Sequence, residues 1–121
     1  MLVAEDEEGV RSPVRRILAA HGYRVLEAAD GPTALALAAG HDGQIDLLLT
    51  DVVMPGMSGG ELARQLRRQR TRLRVMFMSG YSNEAVATHG ALSPGSVFLQ
   101  KPFTVEELVA RLREVLDREV A

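Results

Sequence analysis

The chain has 121 residues, 46% hydrophobic and 25% charged, with a formal net charge of −2 and no cysteine. One domain with a full core suits that length, and the lack of Cys excludes a disulfide framework, a thiolate metal site and a Cys nucleophile. The slightly acidic balance argues against a general nucleic-acid binder. No apolar run reaches the ~20 residues that span a bilayer, and the acidic start is unlike a signal peptide, so a cytoplasmic protein without membrane insertion is expected.

Met1 to Ala4 reads as a short apolar strand that runs into Glu5-Asp6-Glu7-Glu8. Val10, Val14, Ile17 and Leu18 then fall at helical spacing, with Arg11, Arg15 and Arg16 assigned to the opposite, solvated face. Pro13 costs ~3 kcal/mol inside a helix but little in its first turn, so a start near Gly9 or Val10, or a kink, is predicted. His21-Gly22 closes this helix, and Tyr23 to Ala28 reads as a second strand. Asp30-Gly31-Pro32 opens a helix whose inner face is Ala34, Leu35, Leu37 and Ala38, and Gly40 to Gly43 closes it.

Leu47, Leu48 and Leu49 lack polar alternation, which marks a strand covered on both faces and delivers Asp51 at its carboxyl end. In open α/β sheets that edge binds ligands, and Pro55-Gly56 turns the chain out into a loop there. Ser58-Gly59-Gly60-Glu61 has the form of a capping box before Leu62, Ala63 and Leu66, with Arg64, Arg67, Arg68 and Arg70 facing out. Val75 to Met78 is a second unalternating run and ends at Ser79. Asn83 to Thr88 reads as a short, weak helix and His89 to Ser96 as a loop. Val97 to Gln100 makes a fifth strand that ends at Lys101-Pro102-Phe103. A second capping box, Thr104 to Glu107, starts a last helix with the stripe Val105, Leu108, Val109, Leu112, Val115 and Leu116.

Five strand–helix pairs predict an α/β fold, a doubly wound parallel sheet with helices on both faces and all strand ends opening onto one edge. That edge gathers Glu5, Asp6, Asp51, Ser79 and Lys101. Three crowded carboxylates repel one another, and their hard oxygen donors suit Mg²⁺. A phosphoryl group near Asp51 would then have its charge shared among Mg²⁺, the Ser79 hydroxyl and the Lys101 ammonium. Of the 14 basic residues Lys101 is the single Lys, and a compact ammonium is not interchangeable with a planar guanidinium in a tight pocket. Taken singly each residue has an ordinary explanation: Asp51 as a turn cap, Ser79 as a turn hydroxyl, Lys101 as a solvated cation and Phe98 as core. Glu7 and Glu8 suit a helix N-terminus. The Arg run from Arg64 to Arg74 is a solvated face, with no interleaved aromatics to bind nucleic acid directly. His21, His41 and His89 have no metal-ligand spacing, and no Gly-Lys-Ser/Thr follows Gly56, Gly59 and Gly60, so an ATP-binding loop is excluded.

At Glu5-Asp6-Glu7, Asp51-Val52-Val53-Met54-Pro55-Gly56, Ser79 and Lys101-Pro102-Phe103 the chain resembles the receiver domain of two-component response regulators, over nearly all its length. The resemblance implies a single flavodoxin-like domain over residues 1–121 with five strands in the order 2-1-3-4-5. It implies Asp51 as the phosphoacceptor for a phosphohistidine on a histidine kinase or histidine phosphotransfer protein. Mg²⁺ would be held by Glu5, Asp6, Asp51 and the backbone carbonyl of Val53, with Asp6 a direct ligand. Ser79 and Lys101 would grip the phosphoryl oxygens, and Ser79 and Phe98 would form a switch acting on the weak helix of residues 83–88, the fifth strand and the last helix, a face that would also serve a weak dimer. Lys101-Pro102 would be a cis bond. By the same resemblance Val53 and Tyr81 would occupy positions that tune phosphate lifetime. The chain departs from the common pattern at Glu5, where many members have Asp, and at Phe98, where many have Tyr.

Two rival readings remain at this point. A Mg²⁺-dependent phosphohydrolase with an Asp nucleophile typically has a second Asp two residues on, where Val53 stands here; a non-phosphorylated receiver-like docking module would not need every key position filled. The expected protein is therefore no enzyme on a foreign metabolite but one that catalyses its own phosphorylation and dephosphorylation. Its late motifs look like those of receivers fused behind a histidine kinase, and its end soon after the last helix is read as the lack of an output domain.

Overall fold

Strand β3 (Leu47–Asp51) is buried along its whole length, and its alternate side chains enter two separate cores. Leu48 packs on one side of the sheet with Leu2, Leu62, Leu66 and Phe77, while Leu47 and Leu49 pack on the other with Val3, Leu18, Met76 and Leu108. A strand in that position needs apolar residues at consecutive positions, which is why the run of leucines has no polar alternation.

The computed structural model describes residues 1–80 and 97–117. Around β3 stand β1 (Leu2–Ala4), β2 (Leu26–Ala28), β4 (Arg74–Ser79) and β5 (Val97–Gln100), all parallel, in the order β2-β1-β3-β4-β5. This is the flavodoxin-like order expected from the sequence. Helices α1 (Glu8–Ala20) and α4 (Val105–Leu116) bring Val14, Leu18, Leu108 and Leu112 to one face, and α2 (Gly31–Ala39) and α3 (Gly59–Gln69) bring Ala34, Ala38, Leu62 and Leu66 to the other. The helix predicted for Asn83 to Thr88, the loop from His89 to Ser96 and Tyr81 lie outside the described residues.

Local chemistry explains most helix starts. Asp30 accepts the Thr33 N–H at 2.7 Å and caps α2, and Thr104 and Glu107 form a reciprocal capping box on α4 with both bonds at 3.1 Å. The box at α3 is only half made. Ser58 Oγ accepts the Glu61 N–H at 3.2 Å, but the Glu61 carboxylate turns along the helix to Arg64 and Gln65 instead of reaching back.

Other expectations shift. Helix α1 begins at Glu8, and Glu7 at its N-cap makes no side-chain cap bond, so Pro13 is the sixth helical residue and not in the first turn. The helix nevertheless runs unbroken to Ala20; the carbonyl that Pro13 leaves without an N–H belongs to Gly9, which is exposed and open to water. Strand β2 pairs only over Leu26–Ala28, while Tyr23 and Val25, predicted as strand, contribute side chains to the core beside α1. Val105 is 45% exposed and so stands outside the buried stripe of α4. Arg70, predicted to face solvent, folds back so that its guanidinium donates to the carbonyls of Ala38 (3.0 Å), His41 (3.1 Å) and Gly43 (2.7 Å), tying the end of α3 to the end of α2.

Candidate functional site

Parallel pairing in register brings the strand ends level. Ala4 lies opposite Thr50, Asp51 opposite Met78 and Ser79 opposite Gln100. The next residues continue the ladder: Glu5 N–H donates to Ala28 O (3.0 Å), Val52 N–H to Met78 O (3.0 Å) and Lys101 N–H to Ser79 O (2.7 Å). Glu5, Asp51, Ser79 and Lys101 are thus delivered to one edge of the sheet by four different strands.

Glu5 is fully buried, and both its carboxylate oxygens are engaged. Oε2 accepts Lys101 Nζ at 2.8 Å and Oε1 accepts the Glu7 N–H at 3.1 Å. Lys101 Nζ also reaches Asp51 Oδ2 at 3.1 Å, so one ammonium bridges two carboxylates. Asp6, by contrast, is exposed. A carboxylate oxygen of each of Glu5, Asp6 and Asp51 lies within 4.8 Å of the others. Beside them opens a cleft of about 600 Å³, lined by Asp6, Glu7, Asp51, Val53, Gly80 and Lys101, with Met54 and Pro55 completing its wall.

Burial dominates the electrostatics. It pushes the carboxyls of Glu5 and Asp51 above their ordinary values, and the Lys101 ammonium opposes the rise without cancelling it. Burial also works against the charged form of Lys101, but the two carboxylates together outweigh it and hold that ammonium above its usual value. Three acids sharing one cation leave the edge with excess negative charge. Its donors are all oxygen, with no imidazole or thiolate among them, and an acidic set of this kind fits a hard divalent cation.

Thus the structure brings together Glu5, Asp6, Asp51 and Lys101. Ser79 is fully buried at the end of β4, and its neighbour Gly80 forms the cleft wall. Val53 follows Asp51 into the cleft and is 37% exposed. Phe98 is half-buried against the core on the α2–α3 side of the sheet. The Lys101-Pro102 peptide is cis, as expected.

Three contributors were not found in the sequence. Thr50 Oγ1 donates to the Asp51 carbonyl at 3.0 Å. Gly59 lets α3 start against that same carbonyl: a Cβ there would lie 2.0 Å from Asp51 O, closer than any side chain allows. Arg11, assigned to the solvated face of its helix, is instead half-buried and donates through Nη1 to Glu5 O at 2.8 Å. The signal for Arg11 was available, since it lies three and seven residues before the buried Val14 and Leu18 and therefore on their side of the helix.

The sheet order and the acidic edge with its bridging lysine define a class, and the comparisons with known proteins agree with it. Residues 1–113 match the model of the response regulator receiver domain, and the chain belongs to that family. It is 37% identical to the sensor kinase CckA of Brucella abortus strain 2308 over 98% of this chain but only 13% of that protein. It is 36% identical to the response regulator MprA of Mycobacterium sp. strain KMS, of which it spans 50%. A crystal structure of the receiver domain from the hybrid histidine kinase CckA superimposes with a TM-score of 0.80 at 42% identity, covering 96% of this chain and 97% of that one. The Vibrio cholerae chemotaxis protein CheY4 gives a TM-score of 0.84 at 31% identity over 95% and 96% of the two chains. The chain is therefore a two-component signalling receiver domain that spans half or less of these two curated relatives. Among its described residues no helix is long and apolar enough to cross a membrane.

Proposed function

We propose that this domain is a phosphoacceptor: Asp51 takes a phosphoryl group from a phosphohistidine on a histidine kinase or histidine phosphotransfer protein. The observation that carries the reading is the Lys101 ammonium bridging Glu5 and Asp51 beside a cleft that Asp6 also enters. Asp51 Oδ2 is held by Lys101, which leaves Oδ1 as the attacking oxygen. Its bond to phosphorus forms as the phosphorus–nitrogen bond breaks, and the electron pair leaves on the imidazole of the donor.

Asp6, Asp51 and the Val53 carbonyl would hold Mg²⁺, with Glu5 acting through water or through its pull on Lys101, because both its carboxylate oxygens are already bonded. Bound Mg²⁺ supplies positive charge to the phosphoryl oxygens. Lys101 supplies a second positive charge, and Ser79 a hydroxyl that moves toward the phosphoryl group. Ser79 and Phe98 then change the face formed by β5 and α4, where a partner or a second copy in a weak dimer reads the state. On this reading the domain acts on no foreign metabolite, works in the cytoplasm, and belongs to a hybrid histidine kinase, consistent with its similarity to the CckA receiver.

The test is a mass measurement after incubation with Mg²⁺ and acetyl phosphate. A gain of one phosphoryl group that Asp51→Asn abolishes is expected. An unchanged mass, under conditions that phosphorylate a control receiver, overturns the reading.

A further inference from the structure

The Asp6 carboxylate faces the cleft without a hydrogen bond to any other described residue. The residue before Asp6 is held on both sides: Glu5 N–H, in the Ala4–Glu5 peptide, donates to Ala28 O of β2 at 3.0 Å, and Glu5 O, in the Glu5–Asp6 peptide, accepts Arg11 Nη1 at 2.8 Å. Glu5 is the first residue past the β1 ladder, so the guanidinium takes the place of a strand partner for its carbonyl.

Arg11 is itself anchored. Its Nε lies 3.6 Å from Glu27 Oε1, and the other Glu27 oxygen pairs with Arg15 Nε at 3.2 Å. Glu27 sits in β2 directly opposite Val3 of β1. A planar fork can serve a carbonyl and a carboxylate in different directions at once, which a lysine ammonium on a flexible stem does poorly. The Arg11 side chain is mostly buried, with 17% of it exposed, while that of Glu27 is 35% exposed, so the contact with the Glu5 carbonyl is sheltered and the pair with Glu27 is partly open to water.

We propose that Arg11, braced by Glu27, is a positioning residue that fixes the Glu5–Asp6 peptide and thereby aims the Asp6 carboxylate at the cation site. The proposal rests on the reading of that site as a Mg²⁺ site. It makes a prediction opposite in sign to simple electrostatics. Removing a cation next to an acidic cluster should tighten Mg²⁺ binding by Coulomb attraction alone; loss of positioning should weaken it.

The experiment is calorimetric Mg²⁺ titration of the wild-type protein, Arg11→Met, Arg11→Lys and Glu27→Gln, each checked for folding by circular dichroism. Arg11→Met is expected to bind about tenfold more weakly, the usual effect of losing a group that orients a ligand. Arg11→Lys, which keeps the charge and loses the fork, should weaken in the same direction, and Glu27→Gln less so. In the metal-free protein the Glu7 amide, which donates to Glu5 Oε1, should exchange with solvent faster in Arg11→Met than in wild type. Unchanged or tighter binding in folded Arg11→Met and Arg11→Lys, with wild type binding normally, overturns the role of Arg11 alone. Failure of the wild-type protein to bind Mg²⁺ overturns the site reading and this proposal together.

Discussion

Lys101 Nζ donates to Glu5 Oε2 at 2.8 Å, a contact between residues 96 apart in sequence that joins the end of β5 to the end of β1. Glu5 has no exposure, so this ammonium is what allows an ionised carboxylate to remain inside the sheet edge. Losing one partner of a buried pair costs more than losing both, because the survivor is left charged without compensation. Lys101→Met should therefore destabilise the metal-free protein by roughly 3 kcal/mol in urea unfolding at neutral pH. Adding Glu5→Gln should restore most of that loss. A double variant as unstable as the two single losses summed would contradict the pairing.

The raised carboxyls of Glu5 and Asp51 give the metal-free protein a pH signature. An acid raised by folding is penalised once ionised: the penalty is absent below its unfolded-state value and complete above its folded-state value. Without Mg²⁺ these two groups thus add stability as pH falls from neutrality through their folded-state values. Asp30, lowered by its bonds to Thr33, works in the opposite sense. Denaturation in chelator across this range should find Asp51→Asn gaining stability relative to wild type as pH rises. A gap independent of pH would show that Asp51 is not destabilised by burial. Protons compete with the cation for the same oxygens, so Mg²⁺ affinity should fall as pH falls.

Two glycines should respond oppositely to one methyl group. At Gly59 a Cβ meets the Asp51 carbonyl at 2.0 Å, and backbone on both sides cannot yield cheaply, so Gly59→Ala should cost about 3 kcal/mol or more and displace Asp51. Gly9 lies inside α1 with nothing within 4 Å of its Cβ position, so Gly9→Ala should stabilise by about 0.5–1 kcal/mol through helix propensity. Thermal unfolding of both variants checks the pair, and a neutral Gly59→Ala would refute the close approach.

Arg70 donates to three carbonyls where α2 ends, including that of Ala38, which otherwise accepts the His41 N–H at 3.3 Å. Arg70→Ala should lower stability by about 1–3 kcal/mol while leaving Mg²⁺ affinity unchanged, since the contact lies beyond the end of α3, away from the acidic edge. Arg67→Ala, on the exposed face of the same helix, is the control and should cost under about 0.5 kcal/mol.

The helix caps at Asp30 and Thr104 and the doubly covered strands β3 and β4 were legible because each depends on residues within a few positions of one another. Periodicity and capping are local properties, and burial on both faces follows directly from an apolar run. The half-made box at Ser58 was misread because Glu61 had a choice between the N-cap and Arg64, which a motif does not reveal. Helix α1 starts at Glu8, one residue before the predicted Gly9, and a carboxylate there suits the positive end of the helix dipole; that shift puts Pro13 past the first turn.

The succession of strands and helices, and the position of Glu5, Asp6, Asp51, Ser79 and Lys101 at strand ends, are readable from the residues alone, because a strand's end is marked where its apolar run stops. Which of those groups touch is not readable there and follows from the folded arrangement. That Lys101 bridges Glu5 and Asp51, that Arg11 turns inward to the Glu5 carbonyl, and that Arg70 folds back on α2 depend on sheet order, register and helix packing. Those contacts join residues far apart in the chain, and their energies come from desolvation and geometry that exist only once the core has closed around them.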